Sequence, residues 1–153
     1  MGSLSNRVFK VIGESGFWRG AGKVHTRLYQ WSGGRFGATS GGFEHLLLTT
    51  TGRKSGQQRT VPLTYMADGD SYVLVASNGG ADRHPAWWLN LEQTPRATIQ
   101  IGQEVREVVA SRATPAEWET LWPKVKSYNP FYGVYEQITA RDIPVVILRP
   151  ATT

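Results

Sequence analysis

The stretch RTVPLTYMADGDSYVLVAS, residues 59–77 of this 153-residue chain, has the pattern of two strands joined by a turn. Two runs rich in β-branched and aromatic residues flank Asp68-Gly69-Asp70, a sequence that is typical of a tight turn. We therefore predict a β-hairpin with strands over residues 59–67 and 71–77.

The chain on either side of this hairpin carries more strands of the same kind. HLLLTTTG, residues 45–52, indicates a buried strand, and IPVVILRP, residues 143–150, indicates another. ATIQI and EVREVVASRA, within residues 97–113, alternate around Gly102-Gln103 as a second hairpin. About six short strands joined mostly as antiparallel hairpins predict a mainly β (α+β) fold, in the form of a partly closed barrel with flanking helices.

Helices are predicted between the third and fourth strands and again before the last strand. HPAWWLNLEQ, residues 84–93, has a proline suited to the first helical turn. A capping box at residues 114–117 starts a second helix, which Pro123 is expected to distort. A further short helix is expected within residues 128–141. The apolar stripe of the second helix predicts core packing and consists of Trp118, Leu121, Trp122 and Val125.

The composition bounds the domain organisation and the partners. Residues 1–42 form a glycine-rich N-terminal segment with a short basic helix predicted near residues 22–32, and residues 43–153 form the barrel domain. Contact of residues 15–35 with an anionic membrane surface is one interpretation, and packing over the barrel is the other. The net charge of +5 favours an anionic partner. The chain has no cysteine and no apolar run near the ~20 residues that a membrane span needs. We expect a cytoplasmic protein, either free or peripheral to the inner face of the cell membrane.

The loop between the first two strands, residues 52–59, has the composition of an anion-binding site. Gly52 and Gly56 let the backbone turn and present N–H groups. The side chains that could donate to an anion are Arg53, Lys54, Ser55 and Arg59. The glycine spacing does not fit a P-loop, and an exposed basic turn without a ligand is the alternative.

Two further clusters follow. Residues 76–80, Ala-Ser-Asn-Gly-Gly, end the third strand ahead of a helix, where a flat ring or an anionic group can approach the backbone. Phenols that can orient a substrate and donate a proton occur at Tyr128, Tyr132 and Tyr135. A simple turn and aromatic packing are the alternatives. The three histidines lack metal-ligand spacing and no nucleophile elbow is present, so we expect no metal site and no serine hydrolase.

Taken in order, three segments resemble the deazaflavin-dependent nitroreductases of actinobacteria. They are TTTGRKSGQQRTVPL (49–63), VLVASNGGADRHPAWWLNL (73–91) and PFYGVYEQITARDIPVVIL (130–148). The resemblance implies a split β-barrel related to the FMN-binding pyridoxamine-oxidase barrel. It also implies an oxidoreductase that binds coenzyme F420, an 8-hydroxy-5-deazaflavin, and passes hydride to a quinone, a nitroaromatic or a similar electron-poor small molecule.

The resemblance further implies roles for individual residues. The phosphate and acidic tail of the coenzyme would be held by Arg53, Lys54, Ser55 and Arg59. The deazaflavin ring would be framed by the backbone of Thr60, Val61, Pro62, Leu63, Thr64, Val75, Ala76, Ser77 and Asn78. The same groove would be lined by Ala86, Trp87, Trp88, Leu89 and Asn90. The residues nearest the reacting atoms would be Tyr132 and Tyr135, above the ring, with Ser77 as a donor to the acceptor substrate.

Two positions depart from the family's pattern. Asn78 stands where relatives often have lysine, and Asn129 replaces an aromatic residue of some nitroimidazole-reducing members. An FMN- or haem-binding split barrel and a non-catalytic F420 carrier are the alternatives to an F420-dependent reductase. Binding of single-stranded nucleic acid is disfavoured, because the aromatic residues cluster in helices and late loops rather than on alternating strand positions. Either a monomer or a dimer is compatible with the sequence.

Overall fold

A computed structural model describes residues 39–40 and 43–151 of the protein. The helix predicted near residues 22–32 and the basic segment at residues 15–35 lie outside the described residues. The strands are β1 (Thr39–Ser40), β2 (Phe43–Thr51), β3 (Gln58–Thr64), β4 (Met66–Asp68), β5 (Ser71–Val75), β6 (Arg96–Ile101), β7 (Glu104–Arg112) and β8 (Val145–Pro150). The helices are α1 (Ala86–Gln93), α2 (Pro115–Tyr128) and α3 (Phe131–Ile138), with a 3-10 turn at Asn78–Gly80.

All strand pairs are antiparallel, and one chain segment joins the two ends of the sheet. The strand order is β1-β2-β6-β7-β8-β5-β4, with β3 paired to β2. Only Tyr65 separates β3 from β4. Residues 58–64 therefore pair with β2 at one end of the order, and residues 66–68 pair with β5 at the other. This connection curls the sheet into a barrel.

The inner face of the barrel is apolar because strand side chains alternate between its two faces. Leu46 and Leu48 of β2, Leu74 of β5 and Leu148 of β8 are buried in one cluster. Trp87, Trp88 and Leu91 of α1 belong to the same cluster. Helix α1 therefore covers one side of the barrel interior.

Helices α2 and α3 pack on the outer face of β5 and β8. Val73, Val145 and Ile147 point outward from these strands and are buried against Leu121, Trp122, Val125 and Tyr132. The two helices are also joined by the indole nitrogen of Trp122, which donates to Glu136 Oε2 at 3.0 Å. This outer layer fixes where the phenols of α3 lie relative to β5.

The predicted hairpins are confirmed, and so are the three helices predicted within residues 84–141, whereas the strand predicted over residues 59–67 is divided at Tyr65 into β3 and β4. Asp68–Ser71 close the β4–β5 hairpin, and Ile101–Glu104 close the β6–β7 hairpin. Thr114 and Glu117 form the predicted capping box. Helix α2 continues through Pro123 to Tyr128, so the expected distortion does not end it.

Candidate functional site

The barrel is split between β3 and β5. The ladder between β4 and β5 begins at the turn and stops at the pair Met66 and Val73. Within the described residues, β3 pairs with β2 alone, so its other edge carries unpaired backbone groups. Pro62 fits this position, because proline is tolerated in edge strands. The split therefore lies between β3 and the end of β5.

Both backbone segments that were assigned to the ring flank this split. Residues 60–64 form most of β3, in which Val61 and Leu63 pack toward the barrel interior. Residues 75–78 continue β5 beyond the end of its ladder with β4. The two stretches are more than ten residues apart in the sequence and flank one opening. The first has a free strand edge there, whereas the carbonyl groups of residues 76–78 already accept hydrogen bonds within the protein.

The basic loop at residues 52–57 is a closed turn with exposed cations. Gly52 N–H donates to the Gln57 carbonyl at 2.8 Å, and Gly56 N–H donates to the Gly52 carbonyl at 2.8 Å. Gly56 has a φ of 71°, which favours glycine. Lys54 and Arg59 are exposed. The loop and the start of β3 therefore hold positive charge in water beside the free edge of that strand.

Asn90 holds this loop on helix α1. It is only 4% exposed. Its Oδ1 accepts from the backbone N–H of Arg53 at 3.0 Å and from the Arg53 guanidinium at 3.4 Å. Its Nδ2 donates to Thr50 Oγ1 at 3.0 Å. The resemblance implies that Asn90 lines the groove. In the structure, both the oxygen and the nitrogen of its side-chain amide are hydrogen-bonded to protein groups.

The other α1 residues assigned to the groove have different surroundings. Trp87 and Trp88 are 7% and 5% exposed and fill the barrel interior. Ala86 is exposed and Leu89 is half-buried. Core packing thus accounts for both indoles, and their contact with a coenzyme stays a prediction.

The turn after β5 has an unusual backbone. Ser77 is in the right-handed helical region, whereas Asn78, Gly79 and Gly80 have φ values of 47°, 63° and 81°. Asparagine is one of the few side chains that tolerates a positive φ at small cost. Ser77 itself is 7% exposed. The turn is therefore a fixed feature of the site rather than a loose connection.

Helix α3 packs directly on this turn. A Cβ atom on Gly80 would lie 2.5 Å from Ile138 Cδ1 and 3.4 Å from Tyr135 Cδ1. Tyr135 is half-buried beside the turn, and burial raises its pKa. The structure thus brings the predicted Tyr135 close to the turn that contains Ser77.

Tyr132 lies deeper than Tyr135. It is 8% exposed within the cluster between the sheet and α2, and this burial, with smaller contributions from Tyr135 and Tyr128, raises its pKa. It lines a pocket of about 10 Å³, room for about one water molecule. The other residues that line the pocket are Tyr65, Met66, Val73, Val75, Val125 and Tyr128.

Arg141 and His84 are two components of this region that the sequence analysis did not single out. The Arg141 guanidinium donates to carbonyl oxygens of the turn after β5 and lies 3.1 Å from His84 Nδ1. Arg141 follows α3, and its partners in the turn lie 60 to 65 residues away in the sequence. No local pattern marks such contacts, and the only sequence signal is a charged residue just before a buried strand.

Acidification is expected to destabilise the protein through His84. Nδ1 accepts from Arg141, so His84 must be neutral in this arrangement. Burial and then Arg141 lower the pKa of His84 below its ordinary value of 6.5, with a lesser contribution from Arg112, and Glu92 and Asp142 oppose this shift. Because the unfolded state binds the proton more tightly, stability is full above pH 6.5 and falls as the pH drops toward the folded pKa.

Urea unfolding at a series of pH values between about 5 and 8 checks this expectation. His84→Gln keeps a hydrogen-bond acceptor without a titrating group, so its stability should fall less over the same range. Parallel loss of stability in the wild type and the variant would show that other groups cause the acid effect.

Comparison with known proteins identifies the family. Residues 21–150 match the family of F420H(2)-dependent quinone reductases. The chain belongs to this family. The F420H(2)-dependent quinone reductase Rv1261c of Mycobacterium tuberculosis is 40% identical over 130 residues, which cover 82% of this chain and 87% of the relative.

Solved structures agree with this assignment. A structure of an F420-H2 dependent reductase, FDR-A, is 37% identical and superposes with a TM-score of 0.63, covering 69% of this chain and 93% of that chain. A domain-swapped dimer is 32% identical, with a TM-score of 0.67, and covers 83% of this chain and 94% of that chain. A haem storage protein of Vibrio cholerae, HutZ, at 16% identity and a TM-score of 0.54, shares the fold alone.

Membership in this family confirms three of the predictions made from the sequence. The protein is an oxidoreductase of the F420-dependent reductases, its cofactor is F420, and its fold is the split barrel of these enzymes. The FMN, haem and carrier alternatives are accordingly set aside. No helix among residues 39–40 and 43–151 is long and apolar enough to cross a membrane. Peripheral membrane contact and a nitroaromatic acceptor stay predictions.

Proposed function

We propose that this family member passes hydride from F420H2 to a quinone at the split between β3 and β5. The observation that carries the proposal is the split itself. It lies between the edge of β3 that pairs with no strand of the described residues and residues 75–78, beyond the end of the β4–β5 ladder, and an exposed cationic loop precedes β3. The names of the relatives, which are quinone reductases, support the choice of acceptor.

The basic loop fits the anionic part of the coenzyme. F420 carries a phosphodiester and an oligoglutamate, and both are acidic over the physiological pH range. Lys54 and Arg59 are exposed, so they can move to meet such a chain, whereas Arg53 is held in place by Asn90. A fixed guanidinium suits a phosphate of defined position, and flexible cations suit a tail of variable length.

The split fits the ring. A flat heterocycle with polar edges needs donors and acceptors in one plane, and the facing edges of two strands supply backbone groups in that arrangement. Asn78 adds an uncharged side chain at the end of this edge, whose Nδ2 already donates to the Arg83 carbonyl at 3.1 Å. The missing lysine charge is therefore not replaced by another group at that position.

When bound, the coenzyme supplies a hydride, and the protein has to position the acceptor and exclude water. Tyr135 on α3 is the better placed phenol for contact with an acceptor, because it is half-buried beside the turn of Ser77. The buried Tyr132 packs against Tyr135, since their ring centroids lie 6.3 Å apart in an edge-to-face arrangement. Burial raises the pKa of both phenols, so both stay protonated, and the half-buried Tyr135 can donate a hydrogen bond to a quinone oxygen.

Tyr135→Phe is expected to slow hydride transfer to a quinone by roughly tenfold to a hundredfold, because a hydrogen-bond donor to the acceptor is lost. Tyr132→Phe keeps the ring in the core and is expected to have a smaller effect. Single-turnover oxidation of F420H2 by a simple quinone, followed by absorbance, measures both rates. Unchanged rates in both variants would exclude a role of the phenols in proton donation.

Coenzyme binding is tested by titrating the protein with F420 and, in parallel, with FMN, while tryptophan fluorescence is recorded. We expect F420 to bind more tightly than FMN. Lys54→Gln with Arg59→Gln should weaken F420 binding by roughly tenfold and flatten its salt dependence, because two exposed cations near the acidic tail are removed. Lys124→Gln, an exposed lysine on the outer helix α2, is the matched control.

Equal binding of F420 by the Lys54→Gln, Arg59→Gln variant and by the control would show that these two cations do not bind the acidic tail of the coenzyme. A preference for FMN would contradict the whole proposal. Turnover with quinones but not with nitroaromatics would define the acceptor, and turnover with neither would contradict the proposed quinone acceptor.

A further inference from the structure

We propose that Arg141 is a positioning residue for the coenzyme, acting through the turn at residues 76–81. The turn would take the deazaflavin ring, and Arg141 would fix the direction of its backbone N–H groups. This inference rests on the proposed function, since it requires the turn to contact F420.

The guanidinium of Arg141 is bound to the turn through every one of its nitrogens. Nε donates to the Ala81 carbonyl at 2.8 Å, and Nη2 donates to the Ser77 carbonyl at 2.7 Å. Nη1 donates to the Ala76 carbonyl at 3.2 Å and to the Asp142 carbonyl at 2.9 Å. This partly buried cation donates mostly to backbone oxygens, and also to His84 Nδ1, while the Asp82 carboxylate acts on it as a nearby charge. Several carbonyl acceptors around one guanidinium define its geometry more closely than a single charge partner would.

These contacts fix the direction of the N–H groups that share a peptide plane with the bound carbonyls. In a planar trans peptide the carbonyl and the following N–H are directed to opposite sides. Because the Ala76 and Ser77 carbonyls point to Arg141, the N–H groups of Ser77 and Asn78 point away from it. Successive N–H groups in a right-handed then left-handed conformation form a concave donor site for an anion or a carbonyl oxygen.

Arginine suits this role better than lysine. Its planar fork reaches several carbonyl oxygens at fixed angles, whereas a lysine ammonium is a single point with three donors. Ala76 and Ala81 lie on opposite sides of the turn in sequence, and one guanidinium spans both. Arg141→Lys should therefore keep the charge and lose the shape of the turn.

The experiment compares Arg141→Lys and Arg141→Met with the control Arg112→Met. Arg112 bonds the Asp142 carboxylate at 2.9 Å, so it is a neighbouring arginine that binds the same residue. F420 affinity is measured by quenching of tryptophan fluorescence, and folding is measured by thermal unfolding. Steady-state assays with menadione as the acceptor give kcat and the KM for F420H2. We expect both Arg141 variants to raise Kd and KM for F420H2 by roughly tenfold to a hundredfold, with the control within about twofold of the wild type.

Comparing the changes in KM and kcat distinguishes a positioning role of Arg141 from a purely structural role. A structural role would lower the fraction of active molecules, so kcat would fall at an unchanged KM. A folded Arg141→Lys protein that binds F420 as tightly as the wild type would overturn the inference. Failure of the wild type itself to bind F420 would instead overturn the proposed function.

A second measurement leaves the wild-type sequence intact and applies even if the variants do not fold. The Nε–H of Arg141 is held by a carbonyl at 2.8 Å, so it should give a slowly exchanging NMR signal in protein labelled with ¹⁵N-arginine. The signal is assigned in the wild type from its through-space contacts to the residues of the turn. We expect it to shift on addition of F420, and a signal that stays unchanged at saturating coenzyme would overturn the inference.

Discussion

Asn90→Leu is expected to lower the free energy of unfolding by about 3 kcal/mol and to weaken F420 binding as well. The substitution keeps the size of the side chain and removes its bonds to Thr50 and Arg53. Thr50 is 1% exposed, so its hydroxyl loses a partner in a place that water does not reach. Each buried polar group left without a partner costs about 1–3 kcal/mol.

The effect on the coenzyme follows from the same bonds. Arg53 would lose the acceptor that binds both its backbone N–H and its guanidinium. The loop would then be less ordered before binding, so binding an anion would cost more conformational entropy. We expect roughly a tenfold rise in the Kd of F420. Chemical unfolding and the fluorescence titration measure the two effects on the same sample.

Thr49→Val is the matched control for this prediction. Thr49 is the neighbour of Thr50 on β2, but its hydroxyl pairs with Thr60 Oγ1 at 2.8 Å on the half-buried outer face. Its loss should cost about 1 kcal/mol or less. An Asn90→Leu protein as stable as Thr49→Val would mean that the buried amide network contributes little, and that the loop is held by its own backbone bonds.

The features that could be predicted from the sequence are those determined by a few consecutive residues. The hairpins at Gly69 and Gly102 follow from turn residues between alternating strands, and α2 follows from its capping box. These signals act within a few residues, where backbone conformation is decided locally. The resemblance of three ordered segments supplied the family and the coenzyme.

The contacts that organise the site could not be read in this way. Asn90 meets Arg53 across 37 residues and Thr50 across 40. Arg141 meets the turn after β5 across 60 to 65 residues. Such pairs depend on how the barrel closes, which brings distant chain segments to one opening. The sequence therefore indicated candidate segments for the site, and the fold showed that two polar side chains near them, Asn90 and Arg141, face protein partners.

Gly80→Ala is expected to destabilise the protein by about 3 kcal/mol, through backbone strain and overpacking together. Gly80 has a φ of 81°, which costs a side chain about 1–2 kcal/mol. The new Cβ would also lie 2.5 Å from Cδ1 and 2.8 Å from Cγ1 of Ile138, so α3 or the side chain must move. Movement of α3 carries Tyr135 away from the turn, so KM for the quinone should rise along with the loss of stability.

Gly69→Ala separates the two causes, because Gly69 has a φ of 59° and nothing within 4 Å of the added Cβ. It should show the strain alone, about 1–2 kcal/mol, with no change in KM. Combining Gly80→Ala with Ile138→Val removes one of the two clashing atoms, so the double variant should be more stable than the sum of the single effects predicts. Equal losses for Gly80→Ala and Gly69→Ala would mean that α3 yields without cost, and the packing of α3 on the turn would then not be what fixes Tyr135 beside Ser77.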